Sequence, residues 1–373
     1  MIASFSRSQN LGYQIGLISF TRPANILRQA RHLFEIHPRF AARMLLVAAT
    51  SLAGTPLRLW ERVVHGRRIA GVRVPDPVFI IGHWRSGTTH LHNLMSLNPE
   101  FGYVSNFQAT VPDFSLVGPR WLKPILQRVV PQKRPMDNMT WPMDAPQEEE
   151  IPLAKMMPFS FYTQFLFPRQ TLRLFRQYVL RRGAPSGLDR EFERAYYRVL
   201  QIATLHSRGK RLMLKNPVNT ARIPQILALF PNAKFVHIHR APHEVFASTA
   251  NLRGKLLPIT TLQKLGDHDP TETILALYED LMRRYLTDRE RIPAGNLVEV
   301  RFDDLEREPI ETVRQIHKAL DLPGLTGTEP RLRDYCDAQR SYRKNRLALP
   351  VGVRQRVEAR WAFAFEAFGY ARG

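Results

Sequence analysis

Apolar residues recur three and four apart through "NILRQARHLFEIHPRFAARMLLVAATSLAG", residues 25–54, the period of a helix with one face turned inward. Gly54 closes the run as a stop signal. The pattern changes at "VPDPVFIIG", where two prolines precede an unbroken apolar run, Val78 to Ile81. Such a run predicts a strand buried on both faces. A glycine-containing turn follows, then "TTHLHNLMSL", whose Leu91, Leu94, Met95 and Leu97 fit one helix face.

Strand, loop and helix then alternate three more times. "RLMLKNP" leads into "NTARIPQILALF", "AKFVHIHR" into "HEVFASTANL", and "NLVEVRFDDL" into "IETVRQIHKAL". This alternation predicts an α/β fold with a mostly parallel sheet flanked by helices. Residues 1–74 read as a helical N-terminal extension, and 75–373 as the main domain. An insertion at about 105–208 is rich in Pro, Trp and Met and later helical; it is expected over the C-terminal edge of the sheet, where open α/β sheets bind ligands. There is no internal repeat or low-complexity linker, so we expect one domain with elaborations.

Composition adds few exclusions. The chain has 373 residues with 44% hydrophobic content, which marks a folded globular protein. Its single cysteine, Cys336, makes an internal disulfide and a cysteine-based metal site impossible, and fits a reducing compartment. Lys and Arg number 54 against 33 acids, a formal charge of +21. That excess attracts nucleic acid, anionic lipid or small anions, or is a solvated basic surface. The N-terminus lacks the order of basic start, apolar core and cleavage site, so no signal peptide is expected. "MLLVAATSLAG", residues 44–54, is shorter than the ~20 residues that span a bilayer. It reads as a buried helix or one lying in a membrane surface.

"FIIGHWRSGTTH" carries the chemistry. Gly82 and Gly87 have the spacing of a nucleotide-binding loop, yet Thr88 stands where an ATPase has its lysine. Backbone N–H groups from Arg85 to Thr89 can form an anion nest at a helix N-terminus. Arg85 adds a bidentate fork, and Thr88 and Thr89 add hydroxyls. An ATPase also ends a second buried strand in an Asp that helps hold Mg²⁺, whereas "KFVHIHR" ends in Arg240 with no acid before Glu244. The loop therefore suits a phosphate held by arginines, and we expect no metal. Arg240 and Ser248 can hold a second, separate phosphate. The bland alternatives are an ion pair of Arg240 with Glu244 and a small packing residue at Ser248.

These stretches carry a resemblance. "PVFIIGHWRSGTTHLHNLMSLNP", "LMLKNPVNTARIPQILALFPNAKFVHIHRAPHEVFAST", "VRFDDL", "RPMDNM" and "APQEEE" resemble sulfotransferases of the bacterial-type branch, which use 3′-phosphoadenosine 5′-phosphosulfate (PAPS). The similarity runs from about residue 75 to the C-terminus and implies a P-loop-like fold. By that match Arg85, Ser86, Gly87, Thr88 and Thr89 bind the 5′-phosphosulfate, and Arg240 with Ser248 the ribose 3′-phosphate. The donor has no γ-phosphoryl group, so the Walker lysine has nothing to hold. Arg85 takes the family's basic position before "SGTT", against the breaking bridge oxygen. Lys215 matches the strand-end lysine that stabilises the transferring group; a plain strand-end cation is the alternative.

The general base is not carried over. The family's histidine near "LKxP" is missing from "LKNPVN", and Gln108 stands where many relatives have Glu. "PQEEE" offers Glu148, Glu149 and Glu150, with Glu148 favoured; helix-start acids are the alternative. His83, within the loop, is the rival base, and of His90 and His92 at most one points inward. "SYRKNR", with Arg343, Lys344 and Arg346, resembles a basic loop that covers the 3′-phosphate, or is a solvated loop. Trp121, Met136, Met139, Trp141, Met143 and Met157 form an apolar acceptor pocket or ordinary core. The resemblance implies a cytoplasmic or peripherally membrane-associated enzyme, with PAPS as co-substrate and a small-molecule, lipid or glycan acceptor. No nucleic-acid partner is expected; peripheral contact with an anionic membrane is left open beside a free cytoplasmic enzyme. A P-loop kinase or NTPase and a basic nucleic-acid-binding protein are the rival classes.

Overall fold

The computed structural model of the chain describes residues 7–29, 35–131, 141–266, 269–325, 327–339 and 347–372. It forms two compact units. One gathers residues 1–74, 104–209 and 253–268; the other gathers 75–103, 210–252 and 269–373.

The second unit holds the sheet. Its strands are β1 (Val78–Ile81), β2 (Phe101–Gly102), β3 (Arg211–Lys215), β4 (Lys234–His239) and β5 (Leu297–Arg301). Their order is β2-β3-β1-β4-β5, and every pairing is parallel. The alternation expected from sequence is present: each of the three later strand segments is followed by a helix, Ile223–Leu229, Pro242–Thr260 or Pro309–Ala319. The two-residue β2 gave no apolar run in the sequence, because an edge strand that short carries no period.

All four residues of β1 are buried, as a strand covered on both faces requires. On one face Val78, Ile80, Met213, Val236 and Ile238 pack against Leu91, Leu94 and Met95 of the Thr88–Met95 helix. Phe79 meets Phe235 and Phe230 in an aromatic cluster, with ring centroids 5.6 and 6.4 Å away. β1 lies between β3 and β4, so the chain leaves it toward both sides of the sheet. Such a reversal opens a crevice at the carboxyl ends of the strands.

The first unit is helical. From Pro38 to Ala70 the chain runs through a 3₁₀ turn and the helices Ala41–Ala53 and Thr55–Ala70, with Gly54 between them. Gly54 does not stop the helical run. It keeps right-handed helical angles and brings its Cα close to Phe114, where a Cβ would come within 3.2 Å of the ring. The segment is therefore longer than the apolar stretch alone indicated, and it is long and apolar enough to cross a membrane. Its burial also departs from the helix-core alternative, because only 22% of its most apolar stretch lies inside the protein.

The insertion supplies the Glu150–Met156 and Leu188–His206 helices. Trp141, Met143 and Met157 are core residues of this unit, and Trp121 is exposed. Met136, Met139, the "RPMDNM" stretch and the cations of "SYRKNR" lie outside the described residues.

Candidate active site

The loop after β1 is fixed by backbone geometry that its sequence permits. Gly82 has φ 139°, and a Cβ there would sit 2.2 Å from the Ile238 carbonyl oxygen. The Gly82 N–H donates to Thr220 Oγ1 at 2.7 Å, and that hydroxyl donates to the Gly82 carbonyl at 3.1 Å. Gly87 has φ 95°, and a Cβ would meet the Phe302 ring at 2.2 Å. Both glycines are thus required by close approach as well as by angle. Arg85 takes a left-handed φ of 72° without being glycine. A residue held there costs energy that the surroundings must offset, a condition that gathers at functional sites.

The Thr88–Met95 helix begins where the loop ends, with Gly87 as its N-cap. Its first N–H groups and partial positive charge face the loop. Ser86 and Thr88 are buried, whereas Arg85 and Thr89 are half-buried.

Residues assigned by sequence to two phosphates meet in the second unit. Arg85 Nε donates to Ser248 Oγ at 2.9 Å, and Arg240 Nη1 donates to the Arg85 carbonyl at 3.4 Å. The Arg240 guanidinium lies 4.5 Å from the Phe302 ring centroid, in cation–π range. It also donates from Nε to Glu244 at 2.6 Å, so the ion pair weighed as an alternative is present. Lys215 ends β3 fully buried and is level with Ile80 of β1. After it, Asn216, Asn219, Thr220 and Arg222 are buried polar residues. The sequence signal for this cluster was "KNPVNTAR", polar residues between two apolar elements.

His83 is buried against Trp84 and Tyr278, and burial lowers its pKa to about 4. Neutral imidazole then donates from Nδ1 to the Trp84 carbonyl at 2.7 Å. Its buried Nε2 has no hydrogen-bond partner among the described residues. Of the other two histidines, His92 is the one turned inward: burial lowers its pKa to about 3, and its Nε2 bonds the Met213 carbonyl at 3.1 Å. His90 is half-buried beside Tyr335. Among the described residues no group of three or more His, Cys, Asp or Glu side chains could hold a metal ion.

A family model described as "Sulfotransferase family" matches residues 77–326. The chain is also 31% identical over 343 residues to the omega-hydroxy-beta-dihydromenaquinone-9 sulfotransferase Stf3 of Mycobacterium bovis, covering 92% of this chain and 88% of that one. The chain belongs to the sulfotransferase family. Among solved structures, sulfotransferase STF9 from Mycobacterium avium superposes with a TM-score of 0.71 at 20% identity, covering 99% of both chains. Sulfotransferase STF1 from Mycobacterium tuberculosis gives 0.64 at 18% identity, covering 97% of this chain and 99% of that one. These two share the fold.

For a sulfotransferase the arrangement is chemically direct. A loop whose backbone N–H groups start a helix, two guanidinium groups and a strand-end lysine can together bind anionic oxygens. Phe302, within "VRFDDL", was not singled out by sequence; it fills the space under Gly87 and supports Arg240. The carboxylates of "PQEEE" belong to the first unit. There Glu149 accepts from Tyr196 Oη at 2.8 Å, Glu150 accepts from Ser160 Oγ at 2.6 Å, and both are buried. Glu148 is half-buried and accepts from Tyr162 Oη. All three acids thus accept from hydroxyls; Glu149 and Glu150 are buried, and Glu148 is the one left partly accessible.

Proposed function

We propose that the enzyme transfers the sulfuryl group of PAPS to a hydroxyl of a lipid-type or other small acceptor. The observation that supports this reading is the meeting of Arg240 with Arg85 and of Arg85 with Ser248, residues matched by sequence to two separate phosphates. PAPS carries two separate anionic groups, a 5′-phosphosulfate and a 3′-phosphate. Arg85, Ser86, Gly87, Thr88 and Thr89 would hold the first, and Arg240 and Ser248 the second. β4 ends without an acid, in keeping with a donor that needs no bound Mg²⁺.

In the reaction the acceptor oxygen forms a bond to sulfur as the bond between sulfur and the bridging oxygen breaks. The electron pair goes to the phosphate of adenosine 3′,5′-bisphosphate. Arg85 and Lys215 stabilise that developing charge and the transferring group. The hydroxyl proton goes to a base, assigned to Glu148. The acceptor class is supported by the relative at 31% identity, whose name specifies an omega-hydroxy acceptor.

The test is transfer from ³⁵S-labelled PAPS into a lipid extract by purified enzyme in excess EDTA, with the labelled product identified by mass spectrometry. Label in an alkali-resistant, acid-labile sulfate ester is expected. No incorporation into any extract fraction, with ATP binding more tightly than adenosine bisphosphate, would overturn the reading.

A further inference from the structure

The Ala41–Ala53 and Thr55–Ala70 helices have the inverse of an ordinary surface pattern. Leu45, Leu52, Leu59, Trp60, Val63 and Val64 are large apolar residues left exposed, at 50–84% exposure. Leu45, Leu52, Leu59 and Val63 follow one another by seven, seven and four residues, so they form one stripe. At 1.5 Å per residue it runs ~27 Å. The opposite side is fixed within its unit by polar bonds. Ser51 donates to the Thr21 carbonyl, Arg58 donates to the Phe20 carbonyl at 2.8 Å, and buried Glu61 accepts from the Leu116 N–H at 2.7 Å. A helix held this way on one side cannot be surrounded by lipid. It can lie in a bilayer surface with its stripe down.

An independent feature adjoins the stripe. A cleft of about 1260 Å³ within the same unit is lined by eight arginines and two acids. The acids are committed: Asp113 to Arg22 at 2.6 Å and to Arg58 at 3.8 Å, and Glu191 to Arg28 at 2.6 Å. Arg62, Arg67, Arg190, Arg194 and Arg198 have no ion-pair partner among the described residues. Arg190, Arg194 and Arg198 stand four apart on one face of the Leu188–His206 helix. Like charges at that spacing repel. Burial holds the Arg198 guanidinium below its ordinary value against the opposing pull of Asp113 and Glu61, and Arg22 and Arg62 add to the lowering. Leu59, Arg62 and Arg67 line the cleft and belong to the helix that bears the stripe. From residue 36 to 75 the only acid is Glu61, which is buried.

We propose that this face binds the surface of an anionic bilayer, with the apolar stripe in the acyl boundary and the arginine cleft on a lipid phosphate. Arginine pairs grip phosphate oxygens bidentately, and each basic residue near an anionic leaflet adds to binding. The cleft and stripe lie in the first unit and the phosphate loop in the second, so the proposal stands apart from the donor assignment. It reads on membrane binding alone.

Flotation of the full chain with phosphatidylglycerol vesicles and with phosphatidylcholine vesicles tests it. Binding to the first and little to the second is expected. The Arg190→Ala, Arg194→Ala, Arg198→Ala triple variant should lose on the order of a hundredfold in vesicle affinity. Trp60→Ser with Val63→Ser should lose about tenfold or more, each removing apolar area from water. Unchanged melting temperature and adenosine bisphosphate affinity would show that both variants fold. Equal binding to both lipids, or full binding by the arginine variant, overturns the headgroup role. Protection by inorganic phosphate without any flotation makes the cleft a site for a free anion and overturns the membrane. Tighter arginine-dependent binding of duplex DNA than of vesicles makes it a nucleic-acid surface, and a dimer dispersed by Val63→Ser makes the stripe a self-contact; either overturns the proposal.

Discussion

Arg85 donates from Nε to Ser248 Oγ over 2.9 Å, which ties the loop after β1 to the helix after β4. The bond holds a side chain whose own backbone is strained, at φ 72°. Two residues that share one geometry should not act independently. In a double-mutant cycle on turnover, Arg85→Ala and Ser248→Ala are expected to couple by ~0.5–3 kcal/mol. Arg85→Ala alone should lower turnover more than donor affinity, since its charge matters most as the bridge oxygen gains charge. Strict additivity of the two substitutions would remove the positioning role from Ser248.

The sequence carried the sheet well, because β1, β3 and β4 are runs buried on both faces and their loops hold Gly, Pro or Asn at the turns. It carried the loop for the same reason that the loop works: Gly82 and Gly87 are positions where no Cβ fits. The helical half was less legible. Residues 41–64 have a helical period, but a period does not tell which face is inside, and here the apolar side faces out. The arginine cleft is assembled from five separate stretches of chain, so no local spacing foretold it. Phe302 escaped because a lone aromatic beside acidic residues in "VRFDDL" resembles any strand end.

Arg240 serves two partners that compete with a phosphate, Glu244 and the Arg85 carbonyl. Loss of one charged partner of a phosphate typically costs ~1.5–3 kcal/mol. Arg240→Ala should therefore weaken adenosine 3′,5′-bisphosphate binding about tenfold or more, with a smaller effect on adenosine 5′-phosphosulfate, which lacks the 3′-phosphate. Glu244→Gln should act oppositely. It frees donors of Arg240 and removes a like charge, and half-exposed ion pairs hold with ~0.2–1 kcal/mol, so bisphosphate should bind up to about fivefold more tightly. Calorimetry with both nucleotides distinguishes these outcomes. Equal losses for the two ligands in Arg240→Ala would place the 3′-phosphate elsewhere.

Glu61 gives the first unit a pH dependence. Burial raises its pKa to about 7, against the lowering effect of the Leu116 and Val117 N–H groups. In the unfolded chain the group titrates near 4.5. Between those values the folded state binds the proton more tightly, so its contribution to stability is full below about pH 4.5 and is lost as pH rises through 7. Glu61→Gln, neutral at every pH, should flatten the fall in stability across that window. Urea titrations at pH 5 and pH 8 read it directly. A wild-type midpoint that does not drop between them, after correction by the Gln variant, would show that Glu61 is ionised in the fold.

The base is the assignment that chemistry tests most sharply. Glu149 and Glu150 are buried on hydroxyl partners, so their removal should destabilise the first unit and leave the pH profile of whatever activity remains unchanged. Glu148 is half-buried and accepts from Tyr162 Oη, which leaves it the partly accessible carboxylate of the three. Loss of a general base typically costs ~10²–10⁴-fold in rate. Glu148→Gln is expected to lower turnover by about that much, to leave adenosine bisphosphate affinity intact and to remove the acidic limb of the pH–rate profile. The rival is His83, which is neutral above its pKa of about 4 and has an Nε2 with no hydrogen-bond partner among the described residues. Its profile would break near pH 4, and His83→Asn would abolish that break while keeping the Nδ1-side donor to the Trp84 carbonyl. If Glu148→Gln turns over normally and His83→Asn does not, with donor affinity unchanged in both, the proton goes to the imidazole and "PQEEE" is only a helix start.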